Sequence, residues 1–131
     1  MQTGQDKSLY ERLGGYDAIA AATDDLLGRL SADPELQVYW KGTSQDSQRR
    51  DRQLIVDFLV EAAGGPAYYC GRDMKTSHTG LGITDHEWDV FMRHTRAMLE
   101  HMNVPARESQ EVIGFLESLK LEIVERQAVP V

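Results

Sequence analysis

Hydrophobic residues recur along this chain mostly at three- and four-residue steps, the spacing of one helix face. Four stretches show the pattern, and the inner faces it predicts consist of Ile19, Thr23, Leu26, Leu27 and Leu30; Leu54, Ile55, Phe58, Leu59 and Ala62; Trp88, Phe91, Met92, Thr95, Met98, Leu99 and Met102; and Val112, Ile113, Leu116, Leu119 and Ile123. The alternation typical of strands does not extend beyond a few residues. The pattern therefore predicts an all-α protein.

Capping and breaking residues indicate where the helices begin and end. Two pairs have capping-box spacing, Ser8 with Glu11 and Thr84 with Glu87. A short piece carrying Leu36, Tyr39 and Trp40 precedes a polar loop over residues 41–47, and the next helix is predicted from about Gln48 to Ala63. Two glycines and a proline at residues 64–66 then end that helix.

Residues 64–84 form a glycine-punctuated segment in which only one short helical turn, Asp73–His78, is expected. Irregular segments of this length are uncommon inside compact helical domains unless they carry function. The whole chain, residues 1–131, is predicted to be a single domain, with frayed ends over residues 1–7 and 126–131. Candidate chemistry is therefore sought first in residues 64–84.

Composition and charge exclude several classes of function. The 14 basic and 21 acidic residues give a net charge of −7, which opposes binding to a phosphate backbone, so no nucleic-acid partner is expected. No apolar run approaches the ~20 residues that a membrane helix needs, and the first residues do not resemble a signal peptide. The single cysteine, Cys70, cannot form an internal disulfide and is expected to be a small packed thiol. These features predict a cytoplasmic protein.

His78 is the residue in the irregular segment that could bind a metal. Met74 lies four residues earlier, on the same side of a helical turn, and a neutral imidazole beside apolar side chains can serve as an axial ligand to haem iron. An exposed loop histidine fits the local sequence as well, and that interpretation is favoured when the local sequence is taken alone.

Motifs elsewhere in the chain favour the metal-ligand interpretation of His78. These motifs are Tyr10–Gly15, Ala32–Leu36, Gly64–Pro66, Tyr69–His78, Gly82–Thr84 and Val104–Pro105. In this order and spacing the chain resembles the truncated haemoglobins, most closely their group I branch, over roughly residues 8–124. The resemblance implies a truncated globin-like two-over-two helical sandwich, with an irregular segment before the proximal histidine.

The resemblance also implies a haem site with His78 as the proximal ligand to iron. Trp40 falls near the aromatic position that wedges the haem. Apolar residues expected along the haem are Phe58, Leu59, Met74, Ile83, Trp88, Phe91 and Leu116, and residues expected near its edge are Thr43, Tyr69 and Lys75. Since no Cys-x-x-Cys-His motif is present, the expected cofactor is haem b held without a c-type covalent attachment.

The distal side departs from the group I pattern. Leu27 stands where relatives place a tyrosine, and Asp51 and Ile55 align with positions that are often polar; a shift of one turn would bring Gln53 towards the iron instead. Dioxygen becomes partly negative when it binds ferrous haem, so a nearby donor retains it. We therefore expect a largely apolar distal pocket with weakened retention of dioxygen.

Three functions follow as expectations. The first is reversible binding of dioxygen, nitric oxide or carbon monoxide, or oxygen transport, with possible nitric oxide dioxygenase-type or peroxidase-like turnover that would need an external reductase. The second is a haem-based gas sensor or electron-transfer module without turnover, whose acidic surface could dock a basic partner. The third is a helical interaction domain that holds no haem.

Overall fold

The computed structural model describes residues 7–125. The fraying predicted for residues 1–7 and 126–131 lies outside this range, apart from Lys7. That residue is exposed, and its carbonyl accepts a hydrogen bond of 3.2 Å from Nε of Arg12.

Helices account for the regular structure of these residues, and no strand is present among them, as the hydrophobic spacing predicts. They are α1 (Leu9–Leu13), α2 (Tyr16–Ala32), a 3₁₀ helix (Gln37–Trp40), α3 (Gln45–Ala62), α4 (Met74–His78), α5 (Asp85–His101), α6 (Ala106–Glu117) and α7 (Lys120–Ile123). Between α3 and α5 the short helix α4 is the one helical element, so the irregular segment is present where the sequence predicts it.

Both predicted capping boxes are present, at Ser8 with Glu11 and at Thr84 with Glu87. The predicted start of α3 is wrong by three residues. Ser44 accepts a hydrogen bond of 3.0 Å from the main-chain N–H of Ser47, so the helix begins inside the stretch expected to be a polar loop.

The last predicted helix is also wrong in one respect, because it divides into α6 and α7. Ser118 donates its main-chain N–H to Gly114 and Phe115, and Leu119 bonds to Leu116 in a tighter turn. Beyond α7, Val124 is 5 % exposed and packs with Trp88, Met92 and Leu116. The break therefore turns the chain so that an apolar residue after α7 reaches the core.

The long helices form two layers. α2 packs against α3 in one layer and crosses onto α5, which packs against α6 in the other. α1 joins the two layers by contacting both α2 and α6, with Arg12 bonded to Glu108 and Glu111 at 2.6–2.8 Å. The hydrogen bonds from Arg12 hold the pKa of Glu111 below its usual range.

Burial differs from the predicted faces in two helices. On α3 the fully buried residues are Val56 and Val60, which pack on Ile19 and Ala20, whereas Ile55 is 37 % exposed. On α5 the completely buried Val90 lies outside the predicted face and packs with Leu30 and Leu36. Each helix presents apolar residues to two neighbours, so a single stripe describes only one of its contacts.

Within residues 7–125, no helix is both long and apolar enough to cross a lipid bilayer.

Candidate functional site

His78 ends the short helix α4, and its ring is fixed by that helix. Nδ1 lies 2.8 Å from the main-chain carbonyl oxygen of Met74 and 3.0 Å from Oγ of Ser77. A carbonyl can only accept, so Nδ1 carries the proton and the lone pair of the neutral imidazole belongs to Nε2. No residue of the described range hydrogen-bonds to that nitrogen, and the side chain is half-buried.

α4 forms where it does because Asp73 caps it. The Asp73 side chain accepts a hydrogen bond of 2.7 Å from the main-chain N–H of Thr76, and bonding to Thr76 lowers the pKa of that carboxyl. The helix has only five residues, so the carbonyl of Met74 lies one turn before His78 and faces Nδ1. The position of the cap therefore determines which ring nitrogen is left available.

An apolar wall contains several of the residues that the resemblance places along the haem. The buried core of this wall is Trp88, Met92, Leu116 and Val124, and residues packed on it include Leu59, Ile83 and Phe91. Trp88 is 3 % exposed, and its indole Nε1 donates to Glu117 at 3.0 Å. Five of the predicted wall residues therefore share one cluster, although they come from α3, α5, α6 and the segment before α5.

Trp40 belongs to a second cluster that borders the first. It packs with Leu30, Leu36 and Val90, and Phe91 is packed against both clusters. The Trp88 and Phe91 rings lie 5.1 Å apart between centroids. Phe91 thus connects the predicted aromatic wedge to the predicted apolar wall.

Phe58 lies next to Tyr69, from the irregular segment, and next to Phe115, from α6. The ring centroids are 5.2 Å apart in an edge-to-face pair with Tyr69 and 5.9 Å apart with Phe115. Burial raises the pKa of Tyr69, whose hydroxyl donates to the carbonyl of Arg72. Phe58 therefore anchors the irregular segment to α3.

The other predicted edge residues lie at the surface. Thr43 is exposed, donating to the carbonyl of Trp40 at 2.7 Å and accepting from Gln48 at 2.8 Å. Lys75 is exposed on α4, while Met74 beside it is half-buried. Thr43 is thus bonded next to Trp40, and Lys75 lies three residues before His78.

The predicted distal residues come from two neighbouring helices, Leu27 from α2 and Asp51, Gln53 and Ile55 from α3. Leu27 is half-buried and, with Trp40, lines an open groove of about 460 Å³ between α2 and α3. Asp51 and Ile55 are exposed on α3. The amide Nε2 of Gln53 donates to the hydroxyl of Tyr16 at 2.7 Å, near the start of α2.

Charged side chains line the same groove. Arg52 bonds both carboxylate oxygens of Asp24 at 2.8 and 2.9 Å, which ties α3 to α2 and lowers the pKa of Asp24. A separate apolar cavity of about 180 Å³ lies among α1, α2, α3, α5 and α6. His78 lines neither cavity.

His94 and His86 contact acidic residues of the turn after α2. Nε2 of His94 lies 2.6 Å from Asp33, and Nε2 of His86 lies 2.6 Å from Glu35. The expectation that Cys70 is packed is wrong: its side chain is exposed in the irregular segment.

Several carboxylates around the site were missed by sequence reasoning. Glu117 accepts from Trp88, Glu87 accepts from the hydroxyl of Tyr39 at 2.6 Å, and Glu125 accepts from main-chain N–H groups of the loop after His78. Only Glu87 carried a signal, its capping box with Thr84, and that signal does not indicate Tyr39. The contacts of Glu117 and Glu125 join residues 29 to 45 positions apart, which no local pattern encodes.

The chemistry of these residues is the chemistry that a haem requires. Iron in a porphyrin needs a neutral imidazole nitrogen on one axis and a large apolar surface against the ring. His78 offers Nε2, with the other nitrogen held by a carbonyl as in most metal-ligating histidines. The wall around Trp88 and Phe91 offers the apolar surface.

Comparison with known proteins decides the family. The model of the Bacterial-like globin family matches residues 8–125, nearly the whole chain. The chain belongs to the Bacterial-like globin family. Membership in this family implies that the protein holds haem and binds gas ligands through it, and the mostly helical fold expected from the sequence is confirmed.

Relatives place this globin among the truncated haemoglobins. It is 32 % identical to a group 1 truncated hemoglobin of Mycolicibacterium paratuberculosis over 121 residues, 92 % of this chain and 87 % of that one. The ferric truncated hemoglobin of Tetrahymena pyriformis matches with a TM-score of 0.81 and 26 % identity, over 92 % of this globin and all of that chain. The 2/2 hemoglobin of a Synechococcus species, in a cyanomet form with covalently attached heme, matches with a TM-score of 0.81, 27 % identity and the same coverage. The two-over-two architecture is therefore confirmed.

Proposed function

We propose that this globin holds haem b non-covalently, with Nε2 of His78 as the protein ligand to iron, and binds dioxygen, nitric oxide or carbon monoxide on the opposite side. The observation that supports this most directly is the 2.8 Å contact between Nδ1 of His78 and the carbonyl of Met74. Haem supplies an iron atom whose remaining axial position accepts a diatomic gas.

Residues of the chain hold the proximal imidazole and enclose the haem. Met74 and Ser77 hold the imidazole of His78 through Nδ1, which leaves Nε2 as the nitrogen available to iron. The wall around Trp88, Phe91 and Leu116 excludes water and supplies contact area. Thr43, Tyr69 and Lys75 form the polar rim proposed for the haem edge, and Thr43 and Lys75 are exposed to solvent.

A hemin titration tests the assignment of the ligand. The wild-type apoprotein should develop a sharp Soret band at one equivalent of hemin, and His78→Ala should abolish or shift that band because it removes the axial nitrogen. His101→Ala is the matched control, since His101 is exposed at the end of α5. An unchanged band in His78→Ala would overturn the role of His78, and folded wild-type protein that stays colourless would overturn haem binding.

Turnover is the part of the proposal that needs a partner. Oxidation of nitric oxide by dioxygen would leave the haem iron oxidised, so each cycle would require one electron from a reductase; a peroxidase-like activity would require a peroxide and a reducing substrate. Leu27 lacks a hydrogen-bond donor, which favours ligand binding or electron transfer over rapid dioxygen chemistry. Rapid mixing of the dioxygen-equilibrated ferrous protein with nitric oxide separates the two: fast formation of nitrate and ferric protein supports dioxygenase-type turnover, and its absence supports a sensor or electron-transfer module.

A further inference from the structure

The C-terminal end of the described chain forms a clasp on the loop that follows His78. The two carboxylate oxygens of Glu125 each lie 3.0 Å from the main-chain N–H of Gly80, and Oε1 also lies 2.7 Å from the N–H of Gly82. The main-chain N–H of Glu125 donates in turn to the carbonyl of Ile83 at 2.9 Å. One residue thus bonds the loop at three positions.

The backbone of the loop is shaped for this carboxylate. Gly80 and Gly82 have φ values of +93° and +70°, a conformation that glycine adopts at little cost. In it, the two N–H groups converge on one side and form a small concave site for an anion, like the backbone nests that bind phosphate and carboxylate groups. A hydrogen bond to an ionised acceptor is roughly twice as strong as a neutral one.

Apolar packing holds the other half of the clasp in place. Val124 is 5 % exposed and belongs to the same cluster as Trp88 and Leu116, on which Ile83 also packs. α7, which immediately precedes Val124, packs against α4. Glu125 is therefore presented to the loop by a segment anchored in the apolar wall.

The clasp begins two residues after His78. The main-chain N–H of Leu81 bonds to the carbonyl of His78 at 3.2 Å, so the loop and the end of α4 share a hydrogen-bonded turn. α4 has only five residues and contributes no fully buried side chain, so its position depends on its contacts with α7 and with the loop after His78. Contacts from outside the helix must fix where His78 stands.

We propose that Glu125 is a positioning residue for the proximal ligand: by bonding Gly80 and Gly82 it fixes the end of α4 and thereby the direction of the His78 imidazole. This inference rests on the proposed haem ligation by His78. Loss of the carboxylate should leave the fold intact but let the imidazole move, which weakens its bond to iron and speeds release of haem.

The test compares Glu125→Ala and Glu125→Gln with Glu122→Gln, all in the full-length haem protein. Glu122 is an exposed carboxylate on α7 whose side chain bonds to no residue of the described range, which makes it a matched control. Haem transfer to a scavenging apoprotein should be about tenfold faster in Glu125→Ala, the equivalent of one charge-assisted hydrogen bond. Glu125→Gln should fall between, because its amide oxygen can still accept from both N–H groups but carries no charge.

Two further readouts separate positioning from general destabilisation. The iron–histidine stretching band of the ferrous protein should shift or broaden in Glu125→Ala and stay unchanged in Glu122→Gln. In apoprotein, amide exchange at Gly80 and Gly82 should accelerate while that of α5 does not. Wild-type values of both the stretching band and the haem-transfer rate in Glu125→Ala would overturn the inference. Failure of wild-type protein to take up hemin would instead overturn the proposed function, so the two failures are distinguishable.

Discussion

Replacement of Leu27 by tyrosine tests whether residue 27 reaches the bound gas on the distal side. Leu27 is a half-buried residue of α2 beside Trp40, and the open groove next to it has a volume of about 460 Å³. A tyrosine ring can therefore be accommodated without crowding the helix pair. The substitution adds a single hydroxyl donor at a position where the natural residue offers none.

The expected gain in affinity for dioxygen depends on how well the new hydroxyl is shielded from water. A hydrogen bond to a charged or partly charged acceptor contributes about 1.5–3 kcal/mol, which corresponds to ~10- to 150-fold in affinity. Because Leu27 is half-buried and borders an open groove, the new donor would remain partly hydrated. We therefore expect the lower end: dissociation of dioxygen from the ferrous protein slows about tenfold, and that of the less polarised carbon monoxide changes much less.

Stopped-flow displacement of dioxygen by excess carbon monoxide measures the rate. Leu27→Phe is the matched control, since it adds the ring without the hydroxyl. If Leu27→Tyr and Leu27→Phe release dioxygen at the same rate, residue 27 does not reach the ligand and the distal role proposed for Leu27 is refuted.

Two further predictions concern stability. In Gly65→Ala the new Cβ would lie 2.4 Å from a ring carbon of Tyr10 and 2.7 Å from a methyl of Val60, so overpacking should lower the free energy of unfolding by ~1–3 kcal/mol in chemical denaturation. Gly114→Ala on α6 is the control, because its Cβ meets nothing within 4 Å and the change should be neutral or slightly stabilising. Equal denaturation midpoints for the two variants would contradict the clash. The hydrogen bond from His94 lowers the pKa of Asp33, so the stability that this carboxylate contributes is complete above the ordinary aspartate pKa of about 3.9 and is lost as the pH falls further. The melting temperature of Asp33→Asn should therefore fall less between pH 5 and pH 2 than that of the wild type. Parallel plots of melting temperature against pH would refute this.

Features that depend on neighbouring residues were predictable from the sequence. The capping box at Thr84 needs only Glu87, and the short helical turn before His78 begins at the Asp73 cap, where the sequence places it. The hydrophobic spacing also selected most of the wall around Trp88 and Leu116, because those side chains face inward whether the core holds protein alone or a cofactor as well.

What the sequence could not predict depends on contacts between distant residues. Val90 is completely buried although it lies outside the predicted face of α5, because α2 and the 3₁₀ helix cover it from another side. The start of α3 was missed because Ser44 lies in a stretch whose polarity resembles that of a loop, and only the cap geometry marks it as the first turn. Division of the last helix follows from the burial of Val124, a tertiary effect that overrides local helix propensity.

The irregular segment brings both kinds of information together. Its lack of regular helix would suggest mobility, yet it is held at both ends: Tyr69 packs against Phe58 from α3, and the loop after His78 is bonded by Glu125, 45 residues from Gly80 in sequence. In a long continuous helix, the direction of the last residues is fixed by the helix axis. A five-residue helix between two anchored loops can instead be oriented by the residues that contact those loops. Contacts from α3 and from the segment after α7 thus reach the irregular segment on both sides of α4, as the proposed positioning of the His78 ring requires.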